Sequence, residues 1–124
     1  MHTQSNSFSG PVSARRLDAY RVTLELITLC RPLCARMGRG NRRMGAQLKE
    51  SLASILQNLA EGMRRTGKDR AHLLTVSLGS CEEVRALLDS GRAFGFVSVE
   101  EHLEAEQLAD RICAMTFRLR QRSL

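Results

Sequence analysis

A chain of 124 residues is one domain by size, and long enough to enclose a single core. With no Trp, one Tyr, four Phe and two Pro, a composition led by Leu, Ala and Arg favours helices packed through aliphatic side chains. A formal charge of +6 points to nucleic acid or another acidic partner, while no apolar run reaches the roughly 20 residues that span a bilayer.

Residues 1–14 are rich in Ser, Thr and Asn, contain Gly10-Pro11 and show no periodicity, so a mobile tail is expected ahead of a helical domain at 15–124. The same stretch lacks the apolar core of a secretion signal, and a cytoplasmic protein is expected. A first helix is predicted over 15–36, with Leu17, Tyr20, Leu24, Ile27, Cys30 and Cys34 as its core seam. Pro32 has no backbone N–H to donate and is expected to kink or break its last turns. Gly38 and Gly40 then end it inside a connection over 37–42.

A second helix is predicted over 43–65. Leu48, Leu52, Ile55 and Leu59 recur at four, three and four and fall on one face. Gln47, Ser54, Asn58 and Glu61 step seven, four and three, which draws a polar stripe beside the apolar one. Short or neutral polar groups there suit hydrogen bonds to another helix, although a neutral solvated face has the same spacing. Thr66 followed by Asp69 fits a capping box, so the third helix, over 68–94, begins almost at once beside the second. Its seam is Leu74, Cys81, Val84, Leu88 and Gly91, and Ser77, Gly79 and Ser80 form a patch of small residues facing the polar stripe. Gly95 is the expected C-terminal cap, with Phe96 packing back. Ser98-Val-Glu-Glu101 is a second capping box and opens a fourth helix to about 122, with Ala105, Leu108, Ile112, Met115 and Leu119 on its seam.

Ser-Ile-Leu-Gln-Asn-Leu-Ala-Glu-Gly at 54–62 and Leu-Gly-Ser-Cys-Glu-Glu at 78–83 together resemble the signature of the four-helix-bundle family called 23S rRNA intervening-sequence proteins. The matching positions are Gln47, Ser54, Ile55, Asn58, Ala60, Glu61, Gly62, Gly79, Ser80 and Glu83, with Leu59 for Ile. Three positions depart from it. Leu56 replaces the usual Pro, which predicts a straighter second helix; Glu50 stands where a basic residue is common and Arg70 where an aromatic is. The resemblance implies an all-α, antiparallel up-down-up-down four-helix bundle assembling as a ring-like homopentamer. It also brings a more distant likeness to accessory proteins of diversity-generating retroelements, which implies nucleic acid and a reverse transcriptase or ribosome-associated partner.

Up-down topology would gather Arg15, Arg16, Arg64, Arg65, Lys68, Arg70, Arg118, Arg120 and Arg122 at one end. The other end mixes Arg36, Arg39, Arg42 and Arg43 with Glu100, Glu101, Glu104 and Glu106 and nearly cancels. A basic end without interleaved aromatics suits phosphate backbones rather than stacked bases, with weak sequence preference and strong salt dependence. Gln47, Ser54, Asn58, Glu61, Ser80 and Glu83 are assigned to a polar network between helices or subunits, with Glu61 tied between helices.

Enzyme chemistry has little to stand on. No Glu is followed three residues later by His, as a di-iron bundle needs, and phosphate-loop, dinucleotide and nucleophile-elbow motifs are missing. Cys30, Cys34, Cys81 and Cys113 lie in apolar patterns and read as reduced core thiols, so no metal and no cofactor is expected. Arg65 and His72 resemble the Arg-then-His motif of helical-bundle ribonucleases, which would make His72 a general base and Arg65 a phosphate clamp. Thr66 departs from that motif, which has Asn, Asp or His there. Three readings follow: a non-enzymatic oligomer that binds RNA or DNA backbone, a protein-interaction scaffold whose charge serves solubility, and a ribonuclease using Arg65 and His72.

Overall fold

The computed structural model describes Gly10 and residues 13–124. Most of the tail expected over 1–14 therefore lies outside the described residues. A 3-10 turn, Ala14–Arg16, leads into α1 (Asp18–Gly40), α2 (Arg42–Met63), α3 (Gly67–Ala93) and α4 (Val99–Ser123), and there is no strand among the described residues. α1 packs chiefly on α2 and α4, and α3 on the same two, round one apolar core. No helix is long and apolar enough to cross a membrane among the described residues.

α1 runs beyond its predicted end. Pro32 sits inside it with an exposed ring, and the helix continues through Gly38 to Gly40. A proline there removes one backbone bond, and the turns on either side are held by Cys30, Leu33, Cys34 and Met37, all in the core. The glycines serve contact rather than termination. A Cβ on Gly45 would lie 2.6 Å from the Cα of Gly38 and 2.7 Å from the carbonyl of Cys34, so α1 and α2 cross with their backbones nearly touching. Only Asn41 separates the two helices, and its side chain caps α2 by accepting from the Met44 N–H at 3.1 Å.

The seam of α1 is also rotated from the predicted one. Ala19, Val22, Thr23, Leu26, Cys30, Leu33 and Met37 are buried, whereas Leu24 is 43% exposed and Tyr20 and Ile27 are half-buried. Both stripes have helical spacing, and the smaller residues face inward because the helices pack closely. The predicted seams of α2 and α3 are buried throughout. On α4, Ala105, Ile112 and Leu119 are buried as expected, but Ala109 and Thr116 take the places of Leu108 and Met115.

The ends of the later helices follow their residues. Ser98 and Glu101 form a reciprocal capping box. Gly95 takes a left-handed φ of 84°, and the N–H groups of Phe96 and Val97 return to the carbonyl of Gly91. Phe96 then lies against Gly40, where a Cβ would come within 2.2 Å of its ring. Thr66 occupies the N-cap of α3 but makes no side-chain capping bond, contrary to the box read from Thr66 and Asp69. The turn is closed instead from below, by Arg70. With Leu56 in place of proline, α2 is a single uninterrupted helix.

Candidate nucleic-acid interface

The nine cations assigned to one end do not share one environment. Arg15 and Arg16 are exposed on the 3-10 turn, whose Ala14 is buried against the core. Arg64 and Lys68 are exposed on either side of the α2–α3 turn, and Arg118 and Arg122 are exposed near the end of α4. A shallow pocket of about 190 Å³, lined by Leu17, Asp18, Met115, Arg118, Leu119 and Arg122, joins the start of α1 to the end of α4. The ion pairs among the described residues use none of Arg15, Arg16, Arg64, Lys68 and Arg118.

Arg65, Arg70 and Arg120 are engaged within the fold, and Arg122 also has a partner. Arg65, in the turn after α2, holds Glu61 in the last turn of that helix at 2.6 Å, so Glu61 does not bridge helices. Arg120 lies over the Phe117 ring, 5.1 Å from its centroid, and reaches Thr75 Oγ1 on α3 at 3.5 Å. Phe117 is 47% exposed and sits beside Arg118, so this basic region is not free of aromatics as the sequence reading had it.

Arg70 departs furthest from expectation. It is only 1% exposed, and its guanidinium donates to the carbonyls of Gly62 at 3.4 Å, Met63 at 3.2 Å and Gly10 at 2.5 Å. Those at Gly62 and Met63 belong to the last turn of α2, where the Gly62 carbonyl also accepts from the Arg65 N–H at 3.0 Å. Burial lowers the pKa of Arg70 from its ordinary value. A side chain enclosed in this way braces the turn and does not meet a ligand. The long aliphatic stem explains how an arginine fills a place where an aromatic residue is usual.

The polar stripe of α2 meets the small residues of α3 in part. Ser54 Oγ and Ser80 Oγ lie 2.7 Å apart, and Ser77 Oγ donates to the carbonyl of Ile55 at 2.9 Å. Asn58 donates to Ser54, to its carbonyl at 2.9 Å and to its hydroxyl at 3.1 Å, so it supports the serine pair rather than crossing itself. Gln47 is half-buried and Glu83 exposed, and the bonds from α2 to α3 use neither.

The opposite end is paired in part, through Arg36, while Arg39, Arg42 and Arg43 are exposed and outside the ion pairs of the described residues. Arg36 on α1 donates to Glu101 Oε1 at 2.7 Å and to the carbonyl of Phe96 at 3.1 Å. This guanidinium, helped by the Ser98 N–H, lowers Glu101 from the ordinary 4.5 to about 2. Arg85 spans Glu106 at 2.5 Å and Glu82 at 3.3 Å. Sequence reading had placed Glu101 and Glu106 in this group but had not found the arginine that answers each.

Two groupings bear on catalysis or metals. His72 is exposed, and its supposed partner Arg65 is already bonded to Glu61. Asp89, His102 and Glu106 present ligand atoms within 4.8 Å of one another. His102 Nε2 is bonded to Asp89 at 2.7 Å, however, and Glu106 is held by Arg85, so these atoms are already in use.

A family model described as 23S rRNA-intervening sequence protein matches residues 15–118, which takes in all of α1, α2 and α3 and most of α4. The chain belongs to that family. No curated protein matches it.

Proposed function

We propose that this member of the 23S rRNA-intervening sequence protein family is a non-enzymatic, cytoplasmic oligomer that binds RNA or DNA backbone through its basic end. The supporting observation is the set of exposed cations, Arg15, Arg16, Arg64, Lys68 and Arg118, that the ion pairs of the described residues leave out with few carboxylates near them, while at the other end Arg36 is bonded to Glu101 and the exposed Arg39, Arg42 and Arg43 are accompanied by the exposed Glu100 and Glu104. The family name supports an RNA-related role. Phosphates supply the charge these residues lack, and such contacts read no sequence.

The reading needs an up-down-up-down bundle, and several pairings support one. Along α2 and α3, Ser54 meets Ser80, Ile55 meets Ser77 and Gly62 meets Arg70, so residue numbers fall on one helix as they rise on the other. Arg36 and Gly40 near the end of α1 meet Glu101 and Phe96 near the start of α4, and Asp18 shares a pocket with Arg118. Arg15, Arg64 and Arg118 then lie at the same end.

A homopentameric ring would repeat that end around one rim and add the fields of five copies. Support for self-association comes from an apolar groove of about 710 Å³ between α1 and α2, lined by Ile27, Cys34, Gly38, Gly45, Leu52 and Ala53. The exposed Leu24 lies one turn from Ile27 on α1. The same groove favours the second reading, a protein-interaction scaffold without nucleic acid.

Titrating a generic RNA into the protein at 50 mM and 200 mM salt separates the two. Six or more phosphate contacts predict an affinity loss of about a thousandfold over that range. No binding at the lower salt would leave the scaffold reading.

A further inference from the structure

The four cysteines form two pairs of different character. Cys30 and Cys34 stand one turn apart on α1, both buried. Cys81 on α3 and Cys113 on α4 face each other across the α3–α4 seam. Cys81 is fully buried, with its Sγ 3.5 Å from the carbonyl of Ala109, the residue one turn before Cys113. Cys113 is half-exposed, and its Sγ lies 3.7 Å from Glu82 Oε2, next to Cys81 in sequence. Ala109 and Glu82 thus set the two thiols at the same level of the α3–α4 seam, and Arg85, paired with Glu82, stands beside them.

We infer that Cys113 and Cys81 are a hydroperoxide-reactive pair, in which Cys113 meets the oxidant and Cys81 closes a disulfide between α3 and α4. Access assigns the roles, since of these two only Cys113 is open to a small solute. The electrostatics agree. The hydrogen bond from Cys81, aided by Arg85, lowers the pKa of Cys113 despite partial burial and Glu82. Cys81 is raised, first by its bond to Cys113 and then by burial. In the other pair burial pushes Cys30 up to about 12 and also raises Cys34, so neither thiol there is activated.

The chemistry balances with a hydroperoxide as the sole oxidant. The Cys113 thiolate attacks the terminal oxygen of ROOH, the O–O bond breaks, and ROH leaves with one proton, giving a sulfenic acid on Cys113. Cys81 then loses its proton and attacks that sulfur. The S–S bond forms, the S–O bond breaks and water leaves. Two thiols have supplied two electrons, and the peroxide is reduced to ROH and water. A thiol reductant reverses the result by exchange.

The test uses the full chain, reduced and then exposed to hydrogen peroxide. Free thiols should fall from the four present to two. Peptide mapping should find Cys81 joined to Cys113, and dithiothreitol should restore all four. In Cys81→Ala the reaction should stop at a Cys113 sulfenic acid trapped by dimedone. In Cys113→Ser the rapid loss of thiols should vanish. Without any substitution, iodoacetamide should label Cys113 about 10-fold faster than Cys34 at neutral pH. A first disulfide between Cys30 and Cys34 or between two chains, or equal labelling of Cys113 and Cys34, overturns the assignment.

Discussion

The two ends of the molecule differ in how their charge is balanced. Where α1 meets the start of α4, Arg36 is bonded to Glu101 and to the Phe96 carbonyl, and farther along α3 Arg85 spans Glu82 and Glu106. Where α1 begins, α2 turns into α3 and α4 ends, Arg15, Arg16, Arg64, Lys68 and Arg118 are exposed and outside the ion pairs of the described residues. At the first end Arg36 ties helices together, while Arg39, Arg42 and Arg43 are exposed and outside those pairs but share that end with the exposed Glu100 and Glu104. At the second end the exposed cations outnumber the carboxylates, and the buried Arg70 is the exception that belongs with the structural set.

The comparison can be broken first at the closed end. Gly45→Val puts a branched side chain into the backbone of Gly38 and should cost about 3 kcal/mol of unfolding free energy, read by urea denaturation. A cost under about 1 kcal/mol would mean that α1 and α2 do not cross this closely.

Arg70→Met tests the exception. It strips three carbonyls of a charged donor and should cost about 2–3 kcal/mol in the same assay, while leaving RNA affinity of the folded protein within about threefold. An affinity loss without a stability loss would move Arg70 into the binding set.

The first of these contacts shows where the sequence was legible. Four helices, their approximate bounds and the α2 and α3 seams could be read because Leu48, Leu52, Ile55 and Leu59, like Leu74, Cys81, Val84 and Leu88, have a single apolar stripe. α1 carries two stripes at the same spacing, and spacing alone does not say which faces inward. Gly38 and Gly40 look like stop signals locally, because Gly45 and Phe96, which lie against them, are visible only once the helices cross. The burial of Arg70 is not legible in its charge, because the carbonyls that hold it lie on another helix and in the stretch before the 3-10 turn. Arg36 and Glu101 are 65 residues apart, and no local pattern joins them.

At the paired end, Glu101→Gln removes the partner of Arg36 and weakens the α4 cap. A loss of about 1–2 kcal/mol is expected at neutral pH. Because the folded pKa is depressed, from 4.5 to about 2, its contribution is complete above pH 4.5 and is lost as pH falls toward 2. Wild type and Glu101→Gln should therefore converge in stability as pH falls through that window, and parallel curves would refute the pairing.

Smaller still is the Ser54–Ser80 contact. Each Ser→Ala change should cost about 1 kcal/mol, and a double-mutant cycle should return a coupling of about 0.5–1 kcal/mol. Additive losses would leave the α2–α3 seam to Ser77 and its bond to the Ile55 carbonyl.

Charge reversal at the two ends tests the central claim most directly, because both double variants carry the same net charge. RNA affinity at low salt is compared between Arg64→Glu with Arg118→Glu and Arg39→Glu with Arg42→Glu, all four positions being exposed. The account predicts a loss of about 100-fold or more for the first pair and less than about fivefold for the second. Equal losses would mean that overall charge, and not one end of the molecule, governs binding.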